Sequence, residues 1–284
     1  MPSGHGVLLF INTYRADASI LADEVREELT ARGLEVFPVR GEADPSLLER
    51  CFLAISLGGD GTVLSAARTI ASWNIPIFSI NVGTLGFLAV VHPSNWLQVF
   101  QQWQGGNAAV SHRLMLESTV LRKGNVINHA ICLNDVVISA SGIAKLIRLQ
   151  VTEAGMHIGN YQSDGLIVAT PTGSTAYSMA AGGPILDPEI EAMIINPICP
   201  FTLSNRPVVV PSHRTICVEV QAEQRSGVLL TMDGQETETL EPGDRILINQ
   251  APYKAQLIAS DRQVFYNALK TKFNWSGTTG ESNA

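Results

Sequence analysis

Residues 51–62 read CFLAISLGGDGT: an unbroken run of apolar and small residues, then three glycines around one aspartate, then a threonine. The run CFLAISL (51–57) reads as a strand buried on both faces, and TVLSAARTIAS (62–72) reads as a helix. A glycine-rich loop between such a strand and such a helix is a βα junction of an open parallel sheet. Ligands of those sheets sit at the carboxyl ends of the strands. Gly58, Gly59 and Gly61 are expected to take positive φ and to let the backbone approach a ligand closely, while Thr62 begins the helix. The loop is not GxGxxG and lacks the lysine of a P-loop. Asp60 is the unexpected member, because phosphate oxygens repel a carboxylate. It could cap the helix that starts near Thr62. It could instead hold Mg²⁺ against phosphates, or accept the proton of an attacking hydroxyl during phosphoryl transfer.

Outward from this loop the first hundred residues keep the same alternation. VLLFIN (7–12), LEVFPV (34–39) and PIFSIN (76–81) read as further strands. From Asp17, the residues Leu21, Val25 and Leu29 recur every fourth position and define a helix that Gly33 can close. Trp96, Val99, Phe100 and Trp103 predict another helix over 94–103. Strands separated by helices imply a parallel sheet with right-handed crossovers. After QGGN (104–107) the signal turns to β, over 113–170 and again over 206–258. Turn formers at Lys123-Gly124-Asn125, Ala154-Gly155 and Pro242-Gly243 break these runs, and long strand-rich stretches predict a sandwich. The span 171–200 is rich in small residues and punctuated by five prolines, and no strand is assigned to it. Residues 261–275 return to a helical pattern, and 276–284 are expected to be disordered. The domain expectation is 1–108 (α/β), 109–260 (β-sandwich), a helix over 261–275 and the tail 276–284.

Composition narrows the function. Of 284 residues 45% are hydrophobic and 16% charged, enough for a sizeable core. The formal charge of −7, with no Lys/Arg run longer than two, excludes the basic footprint that duplex nucleic acid requires. An anionic ligand must then be held largely by backbone N–H groups, helix ends or metal. Cys51, Cys132 and Cys217 lie in apolar runs and read as buried reduced thiols, and the six histidines form no HxxxH or HExxH pair. The opening MPSGHGVLLFINTY lacks a basic n-region, and no stretch reaches the roughly 18 apolar residues of a membrane span. A cytoplasmic protein without a membrane partner is expected.

Three further signals carry chemistry. In TPTGSTAYSMAAGGP (170–184), Thr172, Ser174, Thr175 and Tyr177 place hydroxyls around Gly173, and the alanines leave room for a flat ligand. The absence of GxSxG and of a nearby histidine excludes a serine hydrolase. A polar turn packed between sheets would explain the same residues. Asn134-Asp135 sits inside the apolar run ICLNDVVIS, where an amide and a carboxylate need polar partners. Vicinal ribose hydroxyls would serve, as would an internal hydrogen-bond network. Asp164-Gly165, just before LIVATPTGSTAY, is either a site residue or a turn aspartate.

GGDGT (58–62), Asn134-Asp135 and DGLIVATPTGSTAY (164–177), in this order, resemble the NAD kinase family. GGDGT alone also resembles loops of 6-phosphofructokinases and of diacylglycerol and sphingosine kinases, so the long second motif carries the specificity. The resemblance spans about 55–190, with MDGQ (232–235) and the closing helix fitting more loosely. It implies a Rossmann-like, doubly wound α/β domain, a C-terminal β-sandwich, and a last segment that returns to the first domain. It implies transfer of the ATP γ-phosphate to the 2′-hydroxyl of the adenosine ribose of NAD, with Mg²⁺ or another divalent ion, in a homo-oligomer (tetramer or dimer). By the same resemblance Asp60 activates the 2′-hydroxyl, and Gly58, Gly59, Gly61 and Thr62 bind phosphate. Asn134 and Asp135 bind ribose hydroxyls. Asp164, Thr175, Ala176 and Tyr177 line the nicotinamide and adenine pockets, and Phe87 in GTLGF (83–87) lies near the adenine. Where the family most often has Glu, this chain has Asp135, one methylene shorter. A lipid kinase of the same superfamily and a non-catalytic nucleotide sensor are the alternatives.

Overall fold

The apolar run at 51–57 does form a buried strand, and it is central to a parallel sheet. The computed structural model describes residues 5–39, 41, 43–142, 146–202 and 204–274. It divides into two units, one made of residues up to His112 together with those from Ala255 on, the other of Arg113–Lys254. The expected disorder of 276–284 lies outside the described residues.

The first unit opens with β1 (Gly6–Ile11), α1 (Ala16–Ala31), β2 (Glu35–Val39), α2 (Pro45–Leu48), β3 (Cys51–Gly58), α3 (Asp60–Ile70), β4 (Ile77–Asn81) and α4 (Trp96–Gln104). The strands run in the order β2-β1-β3-β4, and every adjacent pair is parallel. The order reverses between β1 and β3. With right-handed crossovers the reversal sends α1 and α3 to opposite faces, and it opens a crevice beyond the carboxyl ends of β1 and β3. Leu21, Val25 and Leu29 of α1 are buried in one core with Leu53, Ile55 and Leu57 of β3, as the four-residue spacing predicts.

The second unit contains β5 (Val110–Arg122), β6 (Asn125–Cys132), β7 (Asp135–Ala140), β8 (Ile147–Glu153), β9 (Met156–Ser163), β10 (Gly165–Ala169), α5 (Tyr177–Ala180), β11 (Ala192–Ile198), β12 (Val208–Pro211), β13 (Ile216–Val220), β14 (Val228–Met232), β15 (Glu236–Leu240) and most of β16 (Arg245–Ile258). One layer is a six-stranded sheet ordered β12-β11-β10-β7-β14-β15. The other holds β16, β13, β8 and β9, with β5 and β6 attached through β16. Leu149, Val218 and Ile246 from one layer meet Ile138, Val168 and Ile195 from the other in a single core, which makes the unit a sandwich. The last residues of β16, Leu257 and Ile258, add a parallel strand beside β4 in the first unit, and α6 (Arg262–Phe273) follows there.

Two turns follow the sequence closely. Lys123-Gly124 and Ala154-Gly155 both take positive φ, as two-residue hairpin turns require. One strand departs from the reading. β11 lies within the span to which no strand was assigned, and it is fully buried although it carries Pro197, which is opposite Leu166 of β10. Pro197 and the prolines around the strand disguised it. β15, with the sequence ETETL, is an edge strand whose exposed polar residues lack a hydrophobic pattern.

Gly165 shows how tightly the sheet closes. A methyl group there would collide with the Ile138 carbonyl oxygen and the Ile198 side chain. Gly165→Ala should therefore cost about 1–3 kcal/mol, the usual range for overpacking. A denaturation midpoint equal to that of the wild type would show that the site has slack.

Candidate functional site

At the carboxyl end of β3 the chain turns directly into α3, with Gly59 as the N-cap and Asp60 as the first helical residue. None of Gly58, Gly59 and Gly61 takes positive φ, contrary to expectation, and Gly59 sits at φ −98°. At Gly58 the constraint is space. A side chain at this position would strike the Thr62 hydroxyl and approach Cβ of Asn12. Gly59 has open space among the described residues where a side chain would go.

Asp60 does not cap α3; its side chain makes no capping hydrogen bond there. It reaches across to the loop after β4. Oδ2 accepts from the Phe87 N–H at 2.9 Å, and Oδ1 accepts from the Leu88 and Ala89 N–H groups, each at 2.9 Å. Gly86 must be glycine, because a side chain there would collide with this carboxylate. A carboxylate offers about four acceptor positions. Three are filled by described residues, so Oδ2 keeps one for an incoming group. Phe87 faces the other way. Its ring packs against Phe265 and Phe273 of α6, with centroids 6.1 and 5.9 Å apart, and the Lys272 ammonium sits 4.8 Å above it.

The second unit repeats the device. Asp233, in the MDGQ stretch, accepts from the backbone N–H groups of Leu133 (3.1 Å), Asn134 (2.7 Å) and Asp135 (3.3 Å). ICLNDVVIS is therefore not one strand. It breaks at Leu133-Asn134 between β6 and β7, since amides drawn to Asp233 cannot serve a ladder. TPTGSTAY docks on this break. The Thr170 hydroxyl donates to the Leu133 carbonyl at 2.6 Å, the Thr170 N–H donates to the Asn134 carbonyl, and Gly173 packs so close to Asn134 that no side chain fits. Several hydroxyls expected to face a ligand are used internally. Ser174 donates to the Pro171 carbonyl (2.6 Å) and accepts from the Leu186 N–H, while Thr175 donates to the Thr172 carbonyl. The Thr172 hydroxyl is buried with no partner among the described residues. Tyr177 is exposed, and Thr175 and Ala176 are half-buried.

Asp164 stands apart from this group. Ala169 of β10 is opposite Asp135, whereas Gly165, next to Asp164, is opposite Ser139. The length of β10 separates Asp164 from Asp135, about 17 Å at the usual rise per residue. The tight clusters are thus Asp60 with the Phe87 loop in one unit, and Asn134, Asp135, Asp233 and Thr170–Tyr177 in the other. Asp233 was not singled out as a site residue, although Asp-Gly in MDGQ is a turn signal.

Residues 38–106 match the ATP-NAD kinase N-terminal domain, and residues 133–260 match the ATP-NAD kinase C-terminal domain. The NAD kinase of Treponema denticola is 40% identical over 276 residues, covering 96% of this chain and 97% of that protein. This chain belongs to the NAD kinase family. The NAD kinase of Desulforamulus reducens is 38% identical over 275 residues, covering 93% of this chain and 95% of that one. In fold, the chain is similar to yeast NADH kinase, solved with NADH (TM-score 0.88, 24% identity, 98% of this chain and 89% of that one). It is also similar to an NAD kinase from Archaeoglobus fulgidus, solved with ATP (TM-score 0.73, 24% identity, 92% and 95%). Membership in the NAD kinase family sets aside the lipid-kinase alternative.

Within this member of the NAD kinase family, Asp135 is 4% exposed, and its carboxyl accepts no hydrogen bond from a described residue. Burial first, then the charge of Asp233, push it up to about 7. The unfolded chain releases this proton near 3.8. Between those values the folded state holds the extra proton, so stability falls as pH rises through the window and levels off above it. Asp135→Asn has no such proton. Its stability relative to wild type should climb by up to about 1.4 kcal/mol per pH unit across that window. Urea denaturation at a series of pH values measures this, and parallel curves would remove Asp135 as the titrating group.

Proposed function

We infer that this chain is an ATP-dependent NAD kinase, transferring the γ-phosphate of ATP to the 2′-hydroxyl of the adenosine ribose of NAD and yielding NADP and ADP. The observation that carries this reading is the 40% identity to the Treponema denticola NAD kinase over 96% of this chain and 97% of that protein. It is tested by following NADP formation from NAD with ATP as donor. No NADP above the no-enzyme control would overturn it, and polyphosphate in place of ATP tests donor choice.

Asp60 is assigned the proton-accepting role. The 2′-oxygen forms a bond to the γ-phosphorus while the bond from that phosphorus to the bridging oxygen breaks, and ADP leaves with the bond's electron pair. The hydroxyl proton passes to Oδ2 of Asp60, whose one remaining acceptor position supports the assignment. Gly58, Gly59, Gly61 and Thr62 are assigned to phosphate through the loop backbone. Asn134 and Asp135 are assigned to the ribose hydroxyls of NAD. A buried carboxyl with no hydrogen-bond partner among the described residues supports this, since such a group needs a polar ligand. Thr175, Ala176, Tyr177 and Asp164 remain assigned to the NAD site. For Phe87 we keep a place near the adenine, with the ring held by α6.

A divalent ion, Mg²⁺ by preference, suits the donor set. Mg²⁺ is commonly held by one or two carboxylates together with substrate phosphates. Because Asp60 has a single free position and we give it to the hydroxyl, the ion would be held chiefly by the phosphates of ATP. When bound, it would neutralise charge developing on the transferred group.

Asp60→Asn should lower kcat at least about a hundredfold, the scale of general-base assistance. The amide nitrogen would also face the Phe87 N–H donor to donor, so hydrogen exchange at residues 87–89 is measured alongside to report loosening of the loop. Near-normal kcat would remove Asp60 from the chemistry.

We also assign a homo-oligomer, tetramer or dimer. β12 forms an edge of the six-stranded sheet and carries Val208 and Val209, both exposed, where a second copy would cover them. Light scattering showing only monomer in a fully active sample would contradict this. A cytoplasmic location is supported by the free thiols Cys51, Cys199 and Cys217. No helix among the described residues is long and apolar enough to cross a membrane.

A further inference from the structure

Sequence reading passed over Arg15, which follows β1 and precedes the first residue of α1. Its backbone is extended and its side chain does not cap the helix. Instead the guanidinium lies against Gly83, at the start of the loop that follows β4, so closely that any side chain at Gly83 would collide with it. Gly83 sits at φ +126°, a conformation open in practice only to glycine. The backbone angle is what makes this position glycine, and the tip of the arginine covers it.

The position of this pair is what gives it meaning. β1, β3 and β4 are parallel, so their carboxyl ends share one edge of the sheet. Strand order reverses between β1 and β3, and the crevice at such a reversal is where open α/β sheets bind ligands. Arg15 stands on the β1 side of that crevice, and the Gly58–Thr62 loop stands on the β3 side. The Asn12 side chain, in the same turn as Arg15, faces Gly58. The loop after β4 links the two sides: Arg15 lies at Gly83, and Asp60 lies at Gly86 to Ala89. Three residues separate Gly83 from Gly86, so the guanidinium and the carboxylate bracket at most about 11 Å of chain.

A guanidinium in this place has donors available. Nη2 donates to Asp17 at 3.1 Å in a solvent-exposed pair, and no other hydrogen bond joins the guanidinium to a described residue. Four of its five N–H groups remain for a ligand. Exposed pairs of this kind add little to stability. The chain carries a net charge of −7, so a cation on the phosphate side of the sheet is not part of a general basic surface. Planar guanidinium groups match phosphate oxygens in paired hydrogen bonds.

We propose that Arg15 is a phosphate-binding residue for the nucleoside triphosphate donor, held over Gly83 at the switch-point crevice opposite the Gly58–Thr62 loop. The proposal rests on the kinase reading above and adds a residue to it. Asp17 restrains the guanidinium in the absence of donor, and phosphate oxygens compete for it when donor binds.

The test measures donor and acceptor separately. Arg15→Ala should raise the KM for MgATP about ten- to a hundredfold, with the KM for NAD within about twofold of wild type. Arg15→Lys should recover part of the loss, because it keeps the charge without the planar fork. MgATP titrated calorimetrically into the protein without NAD should weaken in step with the KM. Thermal unfolding should match wild type, since only an exposed ion pair is lost. Unchanged MgATP affinity in Arg15→Ala, or a loss confined to NAD, overturns the proposal. Failure of the wild type to make NADP would count against the kinase reading instead, and the calorimetric arm would still report on Arg15.

Discussion

A carboxylate that gathers three consecutive backbone N–H groups from a distant part of the chain is the interaction on which both clusters depend. Asp60 does this for residues 87–89, and Asp233 does it for residues 133–135. Successive amides cannot all point one way in a regular strand, so each aspartate holds its partner segment out of the sheet ladder. Charge-assisted bonds of this type are stronger than neutral ones, which suits them to holding a turn in one shape. Asp60 fixes the loop after β4 and thereby aims its own remaining lone pair. Asp233 breaks the β6–β7 run and thereby sets the position of Asn134 and Asp135.

The two clusters differ in what surrounds the carboxylates. In the first unit, α6 returns after β16 and clamps the Phe87 ring between Phe265 and Phe273, with Lys272 above it. The loop that Asp60 holds by its amides is held by its ring as well. In the second unit the neighbour of Asp233 is another acid. Asp135 has no counter-cation among the causes of its shift, and burial raises its proton affinity so that it ionises around neutrality. A group in that condition costs stability in the folded protein, and a hydroxyl ligand would relieve the cost.

The hydroxyl-rich TPTGSTAY segment illustrates a division of labour within one motif. Thr170, Ser174 and Thr175 shape the turn through bonds to the carbonyls of Leu133, Pro171 and Thr172. They make the segment a rigid platform on the Asn134 turn, and Gly173 lets it sit there without a gap. The exposed part is the Tyr177 side chain, carried by the short helix α5. The reading of a polar turn therefore holds for Thr170, Ser174 and Thr175, and the exposed Tyr177 takes no part in those bonds.

The sequence by itself determined the layered α/β start, the strand-rich second half, the closing helix and the glycine-rich turn of GGDGT between a buried strand and a helix. Those rest on local chemistry: apolar runs, four-residue spacing and glycine punctuation act over a few residues. It also singled out Asp60, Asn134 and Asp135, because carboxylates and amides in apolar or glycine-rich surroundings are anomalous wherever they occur. Only the tertiary structure decided what Asp60 touches, because its partners lie 27 to 29 residues away. It alone revealed Asp233 as the anchor of a turn about a hundred residues earlier, and Arg15 as a neighbour of Gly83. It also showed β11 as a buried strand despite Pro197, and Asp164 far along β10 from Asp135. Contacts of that kind are set by strand order and register, and a linear pattern does not contain them.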